Sequence, residues 1–294
     1  MEPFWPRRSP HFLACRRAVR GFDGPAVIGL SGGPDSLALV AAAAAEKKDV
    51  SVVVVDHGLQ PGSAEVAERA AAAAREFRFS ATVAKVTVGP GNVEAAARQA
   101  RYNALLEHGG DVWVAHTADD QAETLLLGAL RGNPSGMAAR NGRVVRPFLT
   151  IRREDTVGAC EELGLDPWHD PMNNDPAFRR VAVRTGIIPT LTELIGGDAV
   201  PALAATADRI AEDQALIERL VDLTPTTSCA ELGRDAGAVR RRRLAKWLLD
   251  EGMRVQGDQL AAIEALVTDW HGQGPIPVGG GRAVVRVDGE LRLR

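Results

Sequence analysis

Cysteine is scarce. Cys15, Cys160 and Cys229 are scattered along 294 residues with no CxxC pair among them. That argues against a disulfide framework, a zinc site and an iron–sulfur cluster. Long apolar runs are also missing. The longest, at 37–45, falls far short of the ~20 residues a membrane helix needs. The N-terminus carries Arg7, Arg8, Arg16 and Arg17 without the apolar core of a signal peptide, so the expected compartment is the cytoplasm. Nor is there an excess of positive charge: the net charge is −3, and any attraction to nucleic acid must come from local patches. One such run lies at 128–153, where Arg131, Arg140, Arg143, Arg146, Arg152 and Arg153 occur with no acid. It reads equally as a solvated loop or as an RNA-facing patch.

What is present is an alternation of strand-like and helix-like segments. Strands are expected at 26–30, 50–55, 81–88 and 112–115. Helices are expected at 36–46, 63–77, 93–108 and 119–130. Unbroken Val and Ile runs indicate strands covered on both faces. With helices between them they predict a doubly wound parallel α/β sheet, whose ligands bind at the carboxyl ends of the strands. Beyond Pro147 the pattern turns helical, at 152–163 and 178–191. A long amphipathic helix over 199–223 and a polar linker at 224–228 follow. Two more helices (239–251, 256–270) and short strands (275–278, 283–287, 291–294) predict a small α+β C-terminal domain. The expected division is a first domain at 1–197, a linker helix at 198–223 and a second domain at 224–294.

The polar motifs fall where such a sheet binds its ligand. Ser31, Gly32, Gly33, Pro34, Asp35 and Ser36 lie between the first strand and the first helix. Glycines let the backbone approach an anion closely, and the helix N-terminus offers free N–H groups and a positive dipole end. The Walker loop requires a lysine, and none is present. Asp35 stands there instead, as the cap of an ordinary turn or as a ligand for Mg²⁺, which would allow an acid to sit among phosphates.

Ser-Gly-Gly-x-Asp-Ser after a first strand resembles the signature of the PP-loop ATP pyrophosphatases. Further motifs resemble the tRNA(Ile)-lysidine synthetase family within that group. They are Asp56-His57-Gly58-Leu59 with Ser63 and Glu65; Asn92, Glu94, Arg98, Arg101 and Tyr102; His116-Thr117-Ala118-Asp119-Asp120-Gln121-Ala122-Glu123-Thr124 with Arg131-Gly132; and Asp170-Pro171, Asn174-Asp175, Arg179-Arg180 and Arg184. In order, they span about residues 26–190. Three features depart from the family pattern: a shortened loop at 133–137, Arg180 where asparagine is usual, and a single small C-terminal domain.

The resemblance implies lysidine synthesis. ATP would activate the wobble cytidine of tRNA(Ile) with anticodon CAU, and L-lysine would then displace AMP. Implied catalytic residues are Asp35, Asp119, Asp120, Arg98, Arg101 and His116. ATP would be held by Ser31, Gly32, Gly33, Pro34, Asp35, Ser36, Asp56 and His57, and Mg²⁺ by Asp35 and Asp120. Glu94 and Glu123 would receive lysine. Arg131, Arg179, Arg180, Arg184, Arg240, Arg241 and Arg243 would contact tRNA, with the second domain as a tRNA-binding module. The oligomeric state stays open between monomer and homodimer.

Plainer readings accompany these. Asp120 can cap its own helix with Thr117. Glu94 and Arg98 can form a surface ion pair, and a lone histidine is more often structural than catalytic. Arg240–Arg243 near a helix N-terminus oppose the helix dipole, a cost that RNA phosphates would offset. Other readings are a sister PP-loop enzyme that thiolates or amidates tRNA, and a non-catalytic tRNA-binding protein. Thiolation commonly needs the paired cysteines that this chain lacks.

Overall fold

The computed structural model describes residues 5–59, 62–87, 89, 93–170 and 175–294, the side chains of 93–95 excepted. Two compact units divide it. One comprises 1–124 with 136–208, the other 125–135 with 209–294.

The first unit is built on a six-stranded sheet of order β3-β2-β1-β4-β6-β5. The strands are β1 (Ala26–Gly29), β2 (Val50–Asp56), β3 (Ala81–Lys85), β4 (Asp111–Trp113), β5 (Arg140–Asn141) and β6 (Val144–Val145). All pairings are parallel except the hairpin of β5 with β6. Side chains alternate between faces along a strand. Ala26 and Ile28 accordingly join one buried cluster, with Phe12, Leu39, Ala71, Trp113 and Phe148. Val27 joins another, with Val53, Leu105, Val112 and Val114. Helices α1 (Pro10–Val19), α2 (Pro34–Ala45), α3 (Ser63–Glu76) and α6 (Arg153–Leu163) supply residues to the first cluster, and α4 (Val93–Leu106) supplies Leu105 to the second. Helix α2 is buried from Ser36 through Ala43. An unbroken alanine-rich surface suits a helix with no solvent face.

Strand order reverses between β1 and β4. Such a switch point opens a crevice at the carboxyl ends of the strands, between the loop leaving β1 and the segment that enters α5 (Ala118–Ala129).

Several elements differ from the sequence expectation. Helix α1 is not among the expected helices, the N-terminal segment being read for its arginines and the lack of a signal-peptide core. Its buried positions, Phe12, Cys15 and Val19, nonetheless mark a single helical face. Strand β3 ends at Lys85 rather than 88, and residue 88 lies outside the described residues. The helix expected over 178–191 is α7 (Arg179–Ala182), a π-helical stretch (Val183–Ile187) and α8 (Ile188–Ile195). Helix α9 (Ala199–Leu220) ends before 223, and the boundary between the units falls within it.

The second unit packs α10 (Cys229–Arg234), α11 (Gly237–Asp250) and α12 (Gly257–Thr268) on an antiparallel sheet of β7 (Ile276–Gly279), β8 (Arg282–Val287) and β9 (Glu290–Leu293). Leu232, Leu244, Leu248, Ile263 and Leu266 fill its core. No single helix among the described residues is long and apolar enough to cross a membrane.

The shortened loop at 133–137 is held by close backbone packing. Met137 N–H donates to Gln121 Oε1 at 2.7 Å, and Gln121 Nε2 returns a bond to Met137 O at 2.9 Å. A Cβ on Gly136 would lie 1.9 Å from the Ala207 carbonyl oxygen of α9, and backbone cannot give way as a side-chain tip can. We therefore expect Gly136→Ala to cost about 1–3 kcal/mol, the usual range for overpacking, in urea unfolding. An unchanged midpoint would contradict this contact.

Candidate active site

The carboxyl ends of β1, β2 and β4 open on a cleft of about 710 Å³. Its lining includes Ser31, Gly33, Asp35 and Ser36 after β1, Asp56 and His57 at the end of β2, and His116 and Asp120 beyond β4. Arg101 from α4 and Trp168 and Asp170 from the segment after α6 complete the wall.

The loop after β1 is fixed by its own hydrogen bonds. Gly32 adopts φ +86°, a left-handed conformation that glycine takes without strain. A Cβ there would press on Ala70 at 3.4 Å and Trp168 at 3.6 Å. Trp168 N–H donates to Gly32 O at 2.8 Å, tying the loop to the segment after α6. Ser36 Oγ accepts from the Ser31 amide at 3.2 Å and donates to Gly33 O at 3.1 Å. The amides of Gly32 and Gly33 have no acceptor among the described residues. With α2 beginning at Pro34, they form the kind of helix N-terminus that binds phosphate. The Trp168 ring, carrying the Arg69 guanidinium 5.3 Å from its centroid, gains a cation–π contact.

Three carboxylates gather around one guanidinium. Arg153 Nη2 lies 3.0 Å from Asp120 Oδ1, Nη1 lies 3.0 Å from Glu123 Oε1, and Nε lies 3.7 Å from Asp35 Oδ2. Glu123 is fully buried and is also reached by Arg184 Nε at 2.8 Å and Arg180 Nη1 at 3.4 Å. Arg184 belongs to the π-helical stretch, a local widening often found at functional sites. Arg180, which stands where the family pattern has asparagine, therefore adds a third cation to this acid. Asp35 also bonds the Thr156 hydroxyl.

The two aspartates of the Asp119-Asp120 pair separate in role. Asp120 Oδ2 accepts from the Thr117 amide and hydroxyl, both at 2.8 Å. It caps its own helix and lines the cleft as well. Asp119 turns away and accepts from the Arg153 amide at 2.8 Å and Arg152 Nε at 3.1 Å. It anchors the start of α6 and is not among the residues that line the cleft.

Electrostatics differ sharply across these few residues. Burial raises the Asp35 carboxyl above the usual range and the nearby Asp120 charge adds to that, against Arg153 and Thr156. Burial would raise Asp120 too, but Arg153, His116 and the Thr117 donors hold it low. Burial lowers Arg153, yet Asp120, Glu123 and Asp35 more than reverse this and keep it charged. Asp56, bonded to the Gly58 amide at 2.9 Å and to Ser63, stays an anion of lowered pKa. His116 is pushed down to about 3, first by burial, with Arg146, Arg98 and Arg101 adding to it against Asp120. Burial and Arg101 also lower His57. Both histidines are thus neutral at neutral pH, and both have an Nδ1 atom without a hydrogen-bond partner among the described residues. The thiols are inert. Burial raises Cys15, Cys229 and, to about 12, Cys160.

Not every expected residue joins the cleft. Arg98 is exposed and stacks on Tyr102 at 5.1 Å, with Arg101 at 5.8 Å from the same ring. The Glu94 side chain, Asn92 and residues 171–174 lie outside the described residues. The arginine run at 128–153 is largely engaged by other groups of the protein, although Arg131, Arg140 and Arg143 stay exposed. Arg140 pairs with Asp111, Arg143 donates to backbone carbonyls, Arg146 is buried, and Arg152 and Arg153 serve the acids above. Arg131 and Arg179 are exposed. In the second unit Arg240 and Arg241 bind Glu264 at 2.9 and 3.2 Å, and Arg243 binds Asp235 at 2.9 Å. The helix-dipole cost that suggested RNA phosphates is met by these internal acids. Sequence reading missed Arg153, Thr156 and Trp168 as parts of the site. They come from 117 or more residues after the first-strand loop, and no local motif joins them to it.

A titration follows from His116. Its folded pKa of about 3 lies below the ordinary 6.5. Between those values the unfolded chain binds the extra proton, so stability falls as pH drops from 7 toward 3. From pH 7 to 5.5 this group alone accounts for roughly 1 kcal/mol. His116→Gln should therefore lose about that much less stability over this interval in urea unfolding. Equal losses in both proteins would contradict a buried neutral imidazole.

The comparisons with known proteins agree with this geometry. A PP-loop domain family model matches residues 21–191. A tRNA(Ile)-lysidine synthase of Corynebacterium diphtheriae is 55% identical over 100% of both chains. One of Rhodococcus erythropolis is 45% identical over 95% of this chain and 93% of its own. One of Mycobacterium bovis is 46% identical over 91% and 90%. Among solved structures, a U34-tRNA thiolase of Methanococcus maripaludis has a TM-score of 0.54 at 16% identity, covering 74% of this chain and 86% of its own; at that identity the likeness concerns the fold alone. With its ATP-binding PP-loop domain and full-length relatives, the chain belongs to the tRNA(Ile)-lysidine synthase family.

Proposed function

We propose that this chain ligates L-lysine to C2 of the wobble cytidine of tRNA(Ile) with anticodon CAU, in the cytoplasm, splitting ATP into AMP and pyrophosphate. The observation that carries the reading is the pairing of an open anion loop at Gly32–Gly33 with the Asp35 and Asp120 carboxylates at one switch point. In the first step the cytidine C2 oxygen attacks the α-phosphorus, and the bond to the bridging oxygen breaks. Pyrophosphate leaves toward the Gly32 and Gly33 amides. In the second step a lysine amine attacks C2, loses a proton, and AMP departs with the former base oxygen. The protein's part is positioning and charge neutralisation, the dominant contributions in such transfers.

Asp35 and Asp120 would hold Mg²⁺. Their mutual repulsion in a buried site and their oxygen chemistry fit a hard divalent ion, which takes one or two carboxylates and completes its shell with water and phosphate. When bound, the ion would neutralise phosphate charge. Arg101 on the cleft wall suits the α-phosphate. The neutral imidazoles of His57 and His116 offer unpartnered nitrogens to nucleotide or base. Glu123 would take the lysine ammonium by exchange with its guanidinium partners. The base must be splayed out of its stack to enter, and the exposed Arg131 and Arg179 suit the RNA backbone.

Two measurements test this. AMP should appear only when both tRNA and lysine are supplied. Release with another amine or a sulfur donor, and none with lysine, would defeat the assignment. Asp35→Asn should lower turnover on the order of 10²–10³-fold, as loss of a key electrostatic group does, while tRNA retention on filters survives. Loss of retention would count against a role confined to ATP.

A further inference from the structure

The cluster around Glu123 is balanced. Asp35, Asp120 and Glu123 face Arg153, Arg180 and Arg184, so three negative charges meet three positive ones. Arg180 and Arg184 pair with Glu123 alone among these acids. Arg153 differs, because its three nitrogens are divided among all three carboxylates. Its side chain is one-fifth exposed, and the long aliphatic stem leaves the guanidinium able to swing. A cation already stands on the ground between Asp35 and Asp120.

We propose that Arg153 is a resident cation that keeps the metal position closed until nucleotide arrives. Resting on the reading of Asp35 and Asp120 as the metal's ligands, this goes beyond it by making metal and ATP binding interdependent. A divalent ion entering the balanced cluster alone meets no net negative charge and must displace a guanidinium ion-paired with three acids. Triphosphate supplies both the missing negative charge and a new anionic partner for Arg153, since guanidinium binds phosphate oxygens as well as carboxylates. Thus the ion enters with nucleotide, and Arg153 passes from carboxylate to phosphate. Arg153 acts through the carboxylates and is a positioning residue.

The test is Mn²⁺ binding by the full chain without nucleotide, followed by electron paramagnetic resonance. The wild type should bind weakly. Arg153→Gln should gain a site on the order of tenfold tighter, because a unit charge is removed from a partly buried cluster. Arg153→Lys, whose single ammonium cannot serve three carboxylates, should fall between them, and keeps the test usable should the glutamine variant misfold. Arg152→Gln, which touches Asp119 instead, should leave Mn²⁺ binding unchanged. Adding Asp35→Asn should abolish the gained site. A tight, Asp35-dependent site already present in the wild type would overturn the place-holder but leave the ligand assignment standing. A gained site that survives Asp35→Asn would overturn both. Failure of folded Arg153→Gln or Arg153→Lys to bind more tightly than wild type would overturn the proposal.

Discussion

Ionised carboxylates inside a protein are costly unless each is met by an opposite charge or a hydrogen bond. Glu123 is fully buried and Asp35 and Asp120 are largely so. They persist as a group because Arg153 bonds across all three while Arg180 and Arg184 serve Glu123. This network joins α2, α5, α6 and the π-helical segment. It fixes the two aspartates at the cleft, and removal of Arg153 would take from Asp35 and Asp120 the cation that pairs with both. The arrangement is therefore both a structural joint and the source of the site's charge.

Topology places that network beside the anion loop. The reversal of strand order between β1 and β4 leaves a crevice, and the segments after both strands meet there. Gly32 brings the chain into a left-handed turn against Ala70 and Trp168, with its amide and that of Gly33 free for a ligand. Asp119 binds the Arg153 amide at the start of α6, which aims Arg153 at the acids. The chemistry thus draws on backbone donors fixed by the sheet and on side chains fixed by ion pairs.

Much of this was legible in the sequence. Unbroken Val runs and alanine-rich helices announced a covered parallel sheet, and the Ser31–Ser36 and His116–Thr124 motifs lie at its ligand edge as expected. What stayed hidden has a common physical cause. Arg153, Thr156 and Trp168 contribute through tertiary contacts with residues 30 to 136 positions away, which periodicity cannot report. The arginine runs had unseen partners for the same reason. A string of like charges looks like a surface for phosphate until its acids, Asp111, Asp119, Glu123 and Glu264, are found in other elements. The separation of Asp119 from Asp120 likewise depends on where α6 begins.

The central claim is that the departing diphosphate lies against Gly32 and Gly33, with Asp35 and Asp120 at its side. Crystals soaked with a non-hydrolysable ATP analogue and magnesium test it most directly. The account predicts terminal phosphates within hydrogen-bond distance of those two amides. A triphosphate lodged elsewhere, with the Gly32–Gly33 crevice empty, would contradict it.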